Sequence, residues 1–268
     1  MKQMTDCIAD IKLWMANNFL KLNEDKTEFI IFGSQHDLKS VSHRSVTVGN
    51  EEVLPSTTVR NIGAMLDSPL AMTSHINSVT KSCYSQIRNI SKVRKYLSED
   101  STKSLIHAFV TSRLDNMNSL LFQVPECHLK KLQRIQHNAA RLIKKEKKSC
   151  HITPILYDLH WLPVEYRIRY KILLLVFKCR RGEGPSYLAS MLEDYRPSRS
   201  LRSEARWLLR EPTACKKYGE RAFSVAGPRL WNALPPYLKA CNSVNSFKKD
   251  LKTEFFKEAF KSLLVQTS

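Results

Sequence analysis

The chain has 268 residues, enough for one large domain or two small ones, and its 43% apolar and 9% aromatic content excludes disordered, collagenous and membrane-type compositions. Its 43 Lys+Arg against 25 Asp+Glu give a net charge of +18, the balance of a domain that meets a polyanion, most often nucleic acid and sometimes an acidic membrane surface. Only seven glycines are present, which argues against Gly-rich phosphate loops.

Residues 4–19 place Met4, Ile8, Ile11, Leu13, Met15 and Phe19 at mainly helical spacing and predict a first helix. The pattern then turns β-like. Phe29-Ile30-Ile31-Phe32 stops at Gly33, Ser45 to Val48 alternates up to the Gly49-Asn50 turn, and Val59 to Leu66 reads as one more β stretch. Gly63 inside that last stretch suggests a bulge or a close approach of another backbone.

From Thr73 onward the pattern is helical. Ile76, Val79, Cys83, Ile87, Ile90 and Leu97 form one apolar face, with Lys81, Arg88, Lys92 and Lys95 on other faces. Ser98 followed by Glu99 and Asp100 predicts the start of a helix reaching about Phe122, and Pro125 breaks it. Leu129, Leu132, Ile135, Ala139 and Leu142 mark a third helix, on which Lys130, Arg134, His137, Arg141 and Lys144 also recur every three or four residues, extended by Lys145, Lys147 and Lys148. Thr153-Pro154 predicts an N-cap with proline at the first helical position. Pro163 opens a further helix that Gly182-Glu183-Gly184-Pro185 closes. Residues 195–221 read as an irregular basic segment, and Val244, Phe247, Leu251, Phe255, Ala259 and Leu263 as a final helix. The expected class is α+β: a helix and a small antiparallel sheet over 1–70, a basic helical domain over 71–194, and a basic C-terminal region over 195–268 ending in an amphipathic helix. Charge follows the same division, because residues 1–66 carry seven basic and eight acidic groups and the entire positive excess lies beyond them.

Several chemistries are excluded by spacing. Seven scattered cysteines with no Cys-x-x-Cys pair read as reduced intracellular thiols. Asp6, Asp10 and Lys12 interrupt any signal-peptide core, and the longest aliphatic run, Ile172 to Phe177, is too short to span a bilayer. The expected localisation is therefore the nucleus or cytoplasm, without secretion or a membrane. Cys127-His128 and Cys150-His151 lack the ligand spacing of structural zinc. No Gly-x-Ser-x-Gly elbow is present. Glu24-Asp25, Glu51-Glu52 and Glu193-Asp194 do not end apolar strands as a two-metal polymerase site requires. What remains is the cationic helix 129–148, where Glu146 is the only acidic residue between 127 and 157; it reads either as a phosphate-backbone contact or as a solvated helix face. Its apolar stripe has no aromatic anchor for a membrane surface.

These residues also carry a resemblance. Ile11 to Met15 and Asn18-Phe19-Leu20-Lys21-Leu22-Asn23-Glu24-Asp25-Lys26-Thr27-Glu28 resemble the palm segment just downstream of the Asp-Asp motif in non-LTR (LINE-type) retrotransposon reverse transcriptases. Val59-Arg60-Asn61-Ile62-Gly63 resembles their primer-grip hairpin. The similarity continues through Ser82-Cys83-Tyr84, Tyr96 to Asp100, His107 to Asp115, Leu132 to Leu142, Leu159 to Val164 and Arg221 to Asn232, in the order of the CR1/L2-like and jockey-like branch. Asn116-Met117 departs from it, standing where the family often has an aromatic-Cys pair.

The resemblance implies the end of a palm followed by a thumb that holds an RNA or RNA–DNA template–primer duplex. It implies nucleic-acid contacts at Arg60, Asn61 and Gly63, and fits those expected of Lys130, Arg134, His137, Arg141, Lys144 and Lys145. Lys26 falls where such polymerases carry a lysine able to protonate the departing pyrophosphate; it reads equally as an exposed turn lysine. Trp161 and Trp231 are expected as core anchors rather than base-stacking platforms. In the family the catalytic carboxylates precede the point where this sequence starts. The expectation is thus a truncated reverse transcriptase with no enzymatic activity of its own and no cofactor, where the full-length enzyme would use Mg2+. The alternative is a non-catalytic helical protein that binds nucleic acid or docks on a partner.

Overall fold

The helical spacing of the N-terminal apolar residues is realised in α1 (Lys2–Asn17), the first element of a computed structural model that describes residues 2–41, 44–49, 51–195, 207–214 and 217–266. The fold is α+β. A short helix, α2 (Gln35–Lys39), is followed by two antiparallel hairpins, β1 (Val46–Val48) with β2 (Glu51–Val53) and β3 (Thr58–Asn61) with β4 (Ala64–Asp67). The helical part comprises α3 (Thr73–Val93), α4 (Glu99–Ile106), α5 (Ser112–Asp115), α6 (Glu126–Lys144), α7 (Ile152–Asp158), α8 (Val164–Arg180) and α9 (Ser186–Ala189). It continues with α10 (Lys217–Glu220), α11 (Phe223–Asn232), α12 (Pro236–Lys239), α13 (Val244–Ala259) and α14 (Lys261–Gln266). Two compact units result, Met1–Ser78 and Val79–Ser268, with α3 running across the division.

In the first unit α1 packs on β1, whose Val46 and Val48 point inward while Thr47 faces out. The stretch 59–66 is two strands and not one. Ile62 and Gly63, both at positive φ, make the two-residue turn between Asn61 and Ala64, so Gly63 serves a hairpin of the type that needs left-handed residues. The strand expected at 29–32 shrinks to one bridge between Phe29 and Pro55, because a proline has no N–H with which to carry a ladder further. Buried Asp67 then starts α3: its two carboxylate oxygens accept the backbone N–H groups of Met72 and Thr73, each at 3.0 Å.

The second unit is organised around α8. The run Ile172 to Phe177 buries Ile172, Leu173, Val176 and Phe177 of this helix, and α11 and α13 pack on it most extensively, with α6, α9 and α5 around them. Phe177 stacks on Phe247 at 4.2 Å and 8°, and Trp231 packs against both rings. Trp161 and Trp231 are core residues, 5% and 1% exposed. Pro125 and Pro163 stand immediately before α6 and α8, and Gly182, at positive φ, follows the end of α8.

Two boundaries differ from the sequence reading. The single helix expected over 98–122 is α4, a π turn at His107–Thr111, α5, and then a break where Asn116 is extended and Met117 left-handed. A 3-10 turn, Asn118–Leu121, follows, and distant Arg221 donates to the Leu120 and Phe122 carbonyls at 2.9 and 3.0 Å. Helix α7 begins before Thr153-Pro154, with His151 as its cap; proline at its third position is tolerated because no intrahelical bond uses that N–H. In the basic segment 195–221, of which 196–206 and 215–216 lie outside the described residues, Leu209 is held by Asn232, whose side chain both accepts from and donates to its backbone. Its described residues fall in the second unit.

Candidate nucleic-acid interface

Helix α6 shows why its cations share a face. Its buried residues are Leu132, Ile135, Gln136, Ala139, Ala140 and Ile143, and the three- and four-residue spacing of Lys130, Arg134, His137, Arg141 and Lys144 carries these to the opposite side. Leu129 and Leu142 are only half-buried, whereas polar Gln136 is inside, donating to the Leu162 carbonyl at 2.8 Å. Gln133 joins it at 2.7 Å and accepts the Val164 N–H, which ties α6 to the start of α8.

The expected cations have unequal fates. Lys144 sits between Glu99 and Asp158, at 2.6 and 2.5 Å, and these bonds raise its pKa, so its charge is held and already compensated. His137 is not a cation: burial and then Arg141 lower its pKa, and its Nε2 lies 2.8 Å from the Gln133 amide, placed to accept from it. Lys130 pairs along the helix with Glu126 at 2.8 Å. Exposed Arg134 and Lys145 have no ion pair among the described residues, and the same holds for exposed Lys147 and Lys148.

Arg141, Lys145 and Lys148 border a groove of about 530 Å³ whose opposite wall is Tyr84, Ile87 and Ser91 of α3. Asn138 bridges the two helices, donating to the Tyr84 hydroxyl at 3.2 Å. Left-handed Lys145 ends α6 here, and its N–H returns to the Arg141 carbonyl. Arg141 donates one terminal nitrogen to the Cys150 carbonyl at 3.1 Å, while its buried Nε has no hydrogen-bond partner among the described residues. Beneath the groove lies Arg94, which the sequence reading passed over. It is 8% exposed, and its guanidinium donates to the carbonyls of Leu97, Leu142 and Ile143 at 2.7, 2.8 and 2.6 Å, closing the C-terminal end of α6. Along α3, Lys81, Arg88 and Lys92 are all exposed at spacings of seven and four, a second cationic row beside the groove wall.

In the first unit Arg60, Asn61 and Gly63 are brought together, all exposed at the end of the β3–β4 hairpin with Ile62 between them. Lys26 lies elsewhere in the chain's first unit, exposed at the end of a one-turn 3-10 helix capped by Asn23. Among the described residues no group of three or more His, Cys, Asp or Glu could hold a metal ion. No helix among them is long and apolar enough to cross a membrane. Comparison of the chain with family models, with curated proteins and with solved structures finds no match.

Proposed function

We propose that the chain is the end-of-palm and thumb portion of a non-LTR retrotransposon reverse transcriptase, and that it holds a template–primer duplex. The observation that carries this reading is the groove between α3 and α6, bordered by Arg141, Lys145 and Lys148 and flanked by exposed cations on both helices. Uncompensated cations in rows of helical spacing suit a phosphate backbone, which repeats its charge along a line. The order of the sequence motifs supports the polymerase origin, and the exposed β3–β4 hairpin with Arg60 and Asn61 at its end suits a primer contact. The exposed Ile11 and Trp14 of α1, three residues apart on one face, fit a helix whose apolar side packs on further palm elements.

The sequence contains no Asp-Asp pair, and among the described residues no group of three or more His, Cys, Asp or Glu could hold a metal ion. The activity proposed for this portion is holding the duplex. Fluorescence anisotropy of a labelled RNA–DNA hybrid tests it. Binding should weaken steeply between low and physiological KCl, and an affinity indifferent to salt would refute the reading. Primer extension by the purified chain should give no dNTP incorporation.

A further inference from the structure

A chain of side-chain hydrogen bonds runs from α6 to the start of α8. The His137 Nε2 lies 2.8 Å from the Gln133 amide nitrogen, which also donates to the Gln136 Oε1 at 2.7 Å. The Gln136 amide nitrogen donates to the Leu162 carbonyl at 2.8 Å, and the Gln133 Oε1 accepts the Val164 N–H at 2.8 Å. Gln136 and Val164 are buried, while Gln133 and His137 are half-buried. Both hydrogens of the Gln133 amide and its oxygen are thereby used.

The polarity of this relay is set from its far end. A peptide N–H only donates and a peptide carbonyl only accepts, so Val164 fixes the Gln133 oxygen and Leu162 fixes the Gln136 nitrogen. The Gln133 nitrogen then points a hydrogen at His137, and only an imidazole with a bare Nε2 receives it. An imidazolium carries a hydrogen on both nitrogens and would set N–H against N–H there. Turning the Gln133 amide over does not relieve the conflict, because its nitrogen would then face the Val164 N–H and its oxygen the Gln136 oxygen. Val164 opens α8, where an N–H has no acceptor within the helix, so a bond lost there is not replaced from α8 itself. The charges around the ring also favour the neutral form. Burial, and then Arg141 one turn along α6, hold its pKa below the ordinary 6.5. On the elements packed against α6, Glu99 and Asp158 are taken by Lys144, Arg167 by Asp115, and the Tyr84 hydroxyl by Asn138. Lys103 and Arg167 act on His107 and not on His137, and Glu165 at the start of α8 is exposed.

We infer that His137 is a proton switch on the joint between α6 and α8: neutral, it holds the turn 162–164 on α6 through Gln133 and Gln136, and protonated, it lets that turn go. The joint then opens on acidification ahead of the core of α8, as a local event within the second unit. The switch does not depend on duplex holding, and none of its hydrogen-bonding residues lines the α3–α6 groove.

NMR titration of the whole chain tests the assignment. The His137 ring should titrate below 6.5, and above that pH its nitrogen shifts should show a bare Nε2 with the hydrogen on Nδ1. The protection factor of the Val164 amide, its exchange rate taken relative to the intrinsic rate at each pH, should be full above about 6.5. From there toward the lower value at which the held ring titrates it should fall by up to about tenfold per pH unit, the limit for one proton. The Leu173 and Val176 amides, in the middle of α8, should keep their protection over the same range. His137→Gln, which keeps an acceptor for Gln133 and cannot titrate, should flatten the Val164 profile. His107→Gln should leave it unchanged, although His107 packs on Trp161 beside the same turn at 5.5 Å. Gln133→Glu, which sets a carboxylate against the ring in place of a donor, should raise the His137 pKa by about one unit or more, a response that packing alone would not give. Should a variant not fold, the parent's ring titration and Val164 profile decide. A ring that titrates at or above 6.5, a flat Val164 profile, one that falls in step with Leu173 and Val176, or one that survives His137→Gln or vanishes with His107→Gln would overturn the inference.

Discussion

Neutralising Arg134, Lys145 and Lys148 together, each to Gln, removes three exposed cations that have no carboxylate partner among the described residues. A cation that neutralises a phosphate contributes about 0.9 to the slope of log affinity against log salt, so the triple variant should flatten that slope by about 2.7. At about 0.1 M salt the same relation lowers affinity for a duplex by about 500-fold. Lys144→Gln is the matched control. Lys144 neighbours Lys145 in sequence and is equally charged, yet Glu99 and Asp158 already compensate it, so its removal should change the slope by less than about 0.3. The assay is anisotropy of a labelled RNA–DNA hybrid over a KCl series, with circular dichroism to show that both variants are folded. A triple variant with the parent's slope, or a Lys144 variant that loses as much as a Lys145 variant, would refute the proposed surface.

Arg94→Met should destabilise the second unit by about 3–5 kcal/mol, because three carbonyls lose a charged donor and two of them end α6. At 2–4 °C per kcal/mol this is a fall of roughly 10 °C in calorimetric Tm, and Arg94→Lys should recover only part of it, since an ammonium cannot reproduce the fork. His75 is 3% exposed, burial lowers its pKa, and its Nδ1 accepts the Met65 N–H. The unfolded chain therefore binds the proton more readily, so stability is full above the unfolded value of about 6.5 and declines as pH falls from there toward the lower folded value. The protection factor of the Met65 amide, its exchange rate taken relative to the intrinsic rate at each pH, should fall over that range, and His75→Gln should reduce the pH effect. Ile62→Asn should stabilise the β3–β4 hairpin by about 0.5–1 kcal/mol in urea titrations, because Ile62 is a β-branched residue held at φ 46° ahead of Gly63, where Asn-Gly is favoured.

Much of this fold is local and was legible in the sequence. Period and punctuation agree over α6 and α8, each introduced by a proline, and over the Gly49 turn between β1 and β2. The break after α5 was not legible, because nothing near Met117 forbids a continuing helix. The carbonyls exposed by that break are met by Arg221, about a hundred residues later in the chain. Gln136 is a similar case. It interrupts the apolar pattern visibly, but the Leu162 carbonyl that makes its burial tolerable comes from another segment.

The candidate site separates two things that a charge count merges. Spacing assigns Arg141, Lys144 and Lys145 to neighbouring positions on one helix face, and sequence stops there. Whether each charge is available depends on what the fold places opposite it. Asp158 and Glu99 take Lys144, the Cys150 carbonyl takes part of Arg141, and Arg94, buried beneath them, spends its whole fork on backbone. Part of the basic accumulation at the end of α6 therefore serves that helix terminus, where cations offset the partial negative charge of unpaired carbonyls. The surface proposed for a polyanion is the remainder, Lys145 and Lys148 with Arg134 and the α3 row, and it is smaller than +18 suggests. That distinction makes the Lys144 and Lys145 variants unequal despite their identical chemistry, and it is why a comparison of the two discriminates a built interface from a merely basic protein.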